Sequence, residues 1–147
     1  MTTSRPGRAG RVLHLAERGI WAAVGRGGEG TPHTAYTGST RGLCVDDVGF
    51  VHLSTGAQLP AVMATYYADV RPADLVLLVV DLPTLEGCGV PVRWEDVEGA
   101  DQPFPHAYGP LPRQAVVAVL DLAVGDDGAA ALPDLAGLGV LTGPPVA

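Results

Sequence analysis

The sequence predicts an α+β domain with a mostly antiparallel sheet and a few short helices. Three observations predict it. Strand-like apolar runs outnumber helical ones, and they show no regular strand–helix–strand alternation. The 147 residues include 20 glycines and 13 prolines, which multiply turns and keep regular elements short. That length suits one domain with a real core.

The elements follow in order. Residues 1–10 are small and polar and read as a disordered tail. Val12-Leu13-His14-Leu15 predicts a first strand. Glu17 to Val24 fits a short helix with Ile20, Trp21 and Val24 on one face. Residues 25–48 are loop-like and rich in Gly and Thr.

Gly49 to Thr55 (GFVHLST) predicts a second strand, with Phe50, His52 and Ser54 alternating against Val51 and Leu53. Thr55 and Gln58 have capping-box spacing. The helix after them, starting near Leu59 because of Pro60, places Leu59, Val62, Met63 and Tyr66 together. Asp74 to Asp81 (DLVLLVVD) is the clearest buried strand. Pro91–Trp94 and Ala115–Val124 supply two more. The domain therefore spans about residues 11–124. Residues 125–147, rich in Gly, Ala, Pro and Leu, form a loose extension or a strap over the core.

Composition narrows the function classes. The longest apolar runs fall far short of the ~20 residues a membrane helix needs, and no secretory signal opens the chain. The expectation is a soluble, cytoplasmic protein with no membrane contact. All nine basic residues are arginine, and the net charge is −7. An acidic body with no basic stripe argues against a large nucleic-acid footprint, whereas one or two arginines suffice for a small anionic ligand. Cys44 and Cys88 form no CxxC or zinc-ribbon pair and read as free thiols.

Gly25–Gly30 formally matches GxGxxG, but it follows a helix instead of a strand and leads into Thr31-Pro32-His33. A dinucleotide fingerprint needs the opposite order, so flexible loop is the better reading. Four other segments concentrate the rare rings and charges: Val12–Leu15 with His14; Gly49–Thr55 with His52, Ser54 and Thr55; Val92–Glu98 with Arg93, Trp94 and Glu95; and Phe104–Leu111 with His106 and Tyr108. Any one histidine on a strand is most often a satisfied structural group. Three beside a Trp-Glu pair, with prolines fixing the backbone around His106 and Tyr108, make a shared small-molecule pocket equally attractive. Three histidines and Glu95 also suit zinc, but local ligand spacing is missing, so no metal is expected and metal-dependent hydrolysis ranks last. Ser54 lacks a nucleophile elbow, and an N-cap role explains Ser54 or Thr55 without chemistry.

The order of these segments, above all GFVHLST at 49–55 and FPHAYGPL at 104–111, resembles the bacterial domain of unknown function 952 family over about residues 11–124. That family is grouped with the ADP-ribosyltransferase-like superfamily, and GFVHLST with its helix and following strand is similar to a segment of the NAD-dependent RNA 2′-phosphotransferases. The resemblance implies a split antiparallel sheet gripping NAD, with His14 at the ribose and nicotinamide end. A late catalytic glutamate has no secure match; Glu95 is the candidate. On that reading Glu95 stabilises an oxocarbenium-like sugar, and His52 or His106 activates an acceptor hydroxyl. His14, Ser54, Thr55, Arg93, Trp94 and Tyr108 bind the cofactor, Trp94 by stacking. Strand alternation keeps Arg93 off the face of Trp94 and forbids Trp94 and Glu95 from sharing one. The first expectation is ADP-ribosyl transfer to a small molecule. The second is a pocket without NAD chemistry that binds another metabolite through His14, His52, His106 and Tyr108.

Overall fold

The computed structural model describes residues 10–22, 35–36, 48–126 and 130–143. The Gly-rich GxGxxG run, Val24, Cys44 and residues 1–9 of the expected tail lie outside them. The architecture is α+β with antiparallel strand pairing, as the sequence pattern predicts.

Its core forms around the most apolar run of the chain. That run is strand β4 (Leu75–Asp81), paired antiparallel with β1 (Arg11–Glu17) on one side and β8 (Val116–Asp121) on the other. A central strand covered on both faces needs apolar residues at every position, which is why LVLLVV shows no alternation. Val76, Leu78 and Val80 meet Val12 and Ala16 on one face. Leu75, Leu77 and Val79 meet Leu13 and Leu15 on the other.

Among the described residues, helices cover both faces, with Trp21 of the first helix joining the first cluster. α2 (Leu59–Tyr66) puts Leu59 and Val62 into the second cluster. Its start is held reciprocally: Gln58 N–H donates to Thr55 Oγ1 at 3.2 Å, and Thr55 N–H donates to Gln58 Oε1 at 3.0 Å. α3 (Leu82–Gly87), which the sequence reading omits, sends Leu82 and Leu85 into the first cluster. Asp81 ends β4 and caps this helix by accepting from Thr84 N–H at 3.2 Å, and Pro83 lies in the first turn. The earlier helix α1 is shorter than the expected span, Arg18–Ala22. A single turn cannot present a three-residue stripe, so Trp21 is buried while Ile20 is 42% exposed.

The second sheet joins β3 (Val51–His52), β6 (Phe104–Ala107) and β5 (Val92–Glu95), in the order β3-β6-β5. FPHA is therefore the central strand of this sheet. Among the described residues two short pairs complete the set: β2 (Ala35–Tyr36) with β7 (Leu111–Pro112), and β9 (Ala123–Val124) with β10 (Ala130–Ala131). Among the described residues the two main sheets share one backbone bridge, the antiparallel Leu13 with Ser54, and their ladders part from there.

Past residue 130 the chain returns to β1. Arg11 N–H donates to Gly139 O at 3.1 Å, Leu141 N–H donates to Arg11 O at 2.8 Å, and Leu135, Leu138 and Val140 pack on the core. Gly10 permits this closeness: its φ is +115°, and a Cβ there would stand 2.8 Å from the Leu141 side chain. Among the described residues no helix is long and apolar enough to cross a membrane.

Candidate functional site

One face of the β3–β6–β5 sheet carries the rare side chains. Register sets His52 opposite His106, and His106 opposite Arg93. Strand alternation then puts Phe50, Phe104, Tyr108 and Glu95 on the same face, two residues from that rung. Leu53 N–H donates to Pro105 O at 3.0 Å, so the His52–His106 pair is non-hydrogen-bonded, the kind in which side chains stand closest. Pro105 sits in a central strand at little cost. Trp94 lies opposite it on the β5 side without a backbone bond there, so the missing N–H forfeits only a donor toward β3, where β3 is leaving for β1.

The side chains form a continuous chain of hydrogen bonds. Glu95 Oε1 lies 2.8 Å from His106 Nδ1 and also accepts from the Tyr108 hydroxyl. His106 Nε2 lies 3.2 Å from His52 Nδ1. His52 Nε2 is buried and has no hydrogen-bond partner among the described residues. The Tyr108 hydroxyl and then the His106 ring hold the Glu95 carboxyl below its ordinary value, and the same Glu95 bond raises the Tyr108 hydroxyl. Burial, followed by the neighbouring His106 and His14, lowers His52 to about 4.

These facts assign the tautomers when both rings are neutral. An ionised Glu95 requires a proton on His106 Nδ1. His106 Nε2 must then accept, so His52 donates from Nδ1 and keeps its lone pair on Nε2.

Rings enclose the pair. Phe50 stacks on His106 with centroids 4.0 Å apart and planes 16° from parallel. Phe104 lies 4.8 Å from His52, and Tyr66, 42% exposed at the end of α2, meets His52 edge-on at 6.4 Å. Arg93 stands over the Tyr108 ring at 5.5 Å. Sequence reasoning placed Phe50 and Phe104 in the right segments but gave neither a role. Alternation from His52 and His106 was the available signal. Tyr66 was read only as part of an apolar helix face, and nothing local marked it.

His52, Glu95, His106, Arg93 and Tyr108 are thus brought together. His14 stands beside them in another role: it is buried, and its Nδ1 lies 2.8 Å from the His52 carbonyl. Three expected binding residues are elsewhere. Trp94 points through the sheet and packs against the first core cluster, because Arg93 and Glu95 occupy the other face. Ser54 is buried in the bridge to Leu13, and the buried Thr55 hydroxyl accepts from Gln58 N–H in the turn that leads into α2. Among the described residues no group of three His, Cys, Asp or Glu side chains converges as a metal site. A separate cavity of about 740 Å³ lies against Met63, Tyr67, Arg71, Leu75 and Leu132, and no histidine lines it.

Residues 29–119 match a family described as "Protein of unknown function (DUF952)". The chain belongs to the DUF952 family. This span begins after β1, so His14 precedes it, while every residue of the hydrogen-bonded chain lies within it. The crystal structure of protein CC0527 from Caulobacter crescentus is similar, with 30% sequence identity and a TM-score of 0.64 over 82% of this chain and 93% of that one. A solution structure of CC0527 gives a TM-score of 0.57 over 81% and 90%. No curated protein matches the chain.

Proposed function

We propose that this DUF952 protein is a small-molecule enzyme whose chemistry is proton abstraction by His52. The observation that carries the reading is the bare, buried Nε2 at the end of the Glu95–His106–His52 chain. A hydroxyl or water held at Nε2 gives up its proton there. The Nδ1 proton of His52 passes to His106 Nε2, and the positive charge settles on His106 against the Glu95 carboxylate. His52 ends neutral, as its other tautomer, and the deprotonated oxygen is free to attack an electrophilic carbon or phosphorus. The Phe50 and Phe104 rings against His106 and His52 exclude water from one side of the pair, which strengthens these charge interactions. Tyr66, the exposed ring, is the side chain to move when a substrate enters.

A second reading keeps an NAD-type donor and the finer, ADP-ribosyltransferase-like assignment. The parting of the two sheets beside His14 and His52 supports it. Other features fit NAD poorly. Trp94 is turned away, Thr55 is committed to its helix, and Glu95 Oε1 is held by two donors, leaving the carboxylate an orienting group. The metabolite reading stands first.

The test uses p-nitrophenyl acetate and p-nitrophenyl phosphate as generic electrophiles, NAD as the third probe, and nitrogen-15 NMR of the imidazoles. The expected outcome is hydrolysis of a nitrophenyl ester that falls about 10²–10⁴-fold in His52→Gln. In the resting protein at pH 7, His52 should carry its proton on Nδ1. Nicotinamide release dependent on His52 would promote the NAD reading. Ester hydrolysis indifferent to His52→Gln, or a His52 proton resting on Nε2, would sink the proposal.

A further inference from the structure

We propose that His14 is a positioning residue for His52: its imidazole, in place of the β1 backbone, holds the His52 carbonyl and fixes the fork where the two sheets part. The inference rests on the reading of His52 as the base.

Leu13 and Ser54 exchange two backbone bonds, Leu13 N–H to Ser54 O at 2.7 Å and Ser54 N–H to Leu13 O at 2.8 Å. An antiparallel ladder repeats such a pair every second residue, so its next rung would join Leu15 to His52. That rung is not a bridge; β1 and β3 belong to separate sheets beyond Ser54. Both carbonyls of the missing rung are taken by side chains instead. His52 O accepts from His14 Nδ1 at 2.8 Å, and Leu15 O accepts from the Tyr67 hydroxyl at 3.4 Å. His14 is only 2% exposed, and Tyr67 is also buried, so water competes poorly for either carbonyl.

Burial also keeps His14 neutral, near a pKa of about 4, which leaves Nδ1 a single fixed proton to donate. The consequence falls on the next residue's geometry. With its carbonyl fixed by a rigid ring, the His52 backbone cannot rotate to zip onto β1, and the His52 ring stays aimed at His106. Tyr67 adds a link to α2, whose preceding residue, Tyr66, faces the His52 ring. One short helix end thus touches both the fork and the base.

The test compares His14→Asn with His14→Leu. The asparagine side-chain amide can place a donor where Nδ1 stands; leucine fills the space without one. The readout is the nitrogen-15 spectrum of the His52 and His106 rings, which reports positioning whether or not any substrate is turned over. Failure of the base proposal, seen in ester hydrolysis, is therefore distinguishable from failure of this one. In folded His14→Leu, the single Nδ1–H form of His52 should give way to rapidly averaging tautomers, and His14→Asn should restore the wild-type pattern. Unchanged His52 signals in folded His14→Leu would overturn the proposal. If the leucine variant does not fold, the asparagine variant decides: averaging tautomers there, or loss of folding in both, would move His14 from the fork to plain core support.

Discussion

The two main sheets are made by different means. The β1–β4–β8 sheet is held by apolar packing on both faces of β4, which has no polar side chain along its buried length. The β3–β6–β5 sheet has one apolar face and one polar face, and its strands are only two to four residues long. Its polar face is specified by a chain of hydrogen bonds from Glu95 through His106 to His52. Packing tolerates a neighbour of similar shape; a tautomer chain does not. The contrast separates the residues that pack the core from those that carry the hydrogen-bonded chain.

The sharpest way to break the comparison is a core truncation. Leu77 is fully buried opposite Leu15 and Leu120. Leu77→Ala should cost about 2–5 kcal/mol in urea unfolding while leaving the imidazole tautomers unchanged. Altered His52 signals in that variant would show that the sheets are not independent.

The next effect is acid sensitivity. His14 and His52 titrate near 4 when folded, against 6.5 in the unfolded chain. Between those values the unfolded chain binds protons that the folded one refuses. Stability is therefore fully present above about pH 6.5 and is lost as pH falls toward 4, by about 3 kcal/mol for buried His14 alone. Glu95, whose carboxyl is lowered, acts in the same direction: its contribution is present above the ordinary carboxylate range and disappears as pH falls through its folded value. Urea midpoints measured from pH 7.5 to 4 should show this slope, shallower by about one proton in His14→Asn. A flat profile would contradict the burial of both rings.

Thr55→Ala tests the smallest effect. Loss of its bond from Gln58 N–H, in the turn that starts α2, should lower stability by about 1 kcal/mol. Ester hydrolysis should survive, since the Thr55 hydroxyl serves the helix. A large loss of activity would return Thr55 to the binding site.

The same contrast governs what was legible beforehand. DLVLLVVD announces a doubly covered strand through composition alone, and Thr55 with Gln58 announces a helix start through spacing. Both signals are local. His52 and His106 were visible as unusual residues, but their contact depends on pairing segments 54 positions apart. Trp94 shows the cost of stopping at a motif: alternation already required Arg93 and Glu95 to share a face, and the sheet gave them the site and Trp94 the core. The helix at 82–87 is legible in Asp81-Leu82-Pro83-Thr84, a cap followed by an early proline, though it follows directly on the more obvious strand.

The return of residues 139–141 to β1 carries a consequence for the order in which the molecule forms. The Arg11 side chain donates to Leu138 O across 127 positions, and the outer edge of β1 is served in turn by Gly139 and Leu141, by Ser54, and by Tyr67. Closing so long a loop is entropically slow, whereas the helix caps form locally. During synthesis the first strand must wait, with one flank open, until nearly the whole described chain has emerged. In pulse-labelled refolding, the amides of Arg11 and Leu141 should gain protection after those of α2.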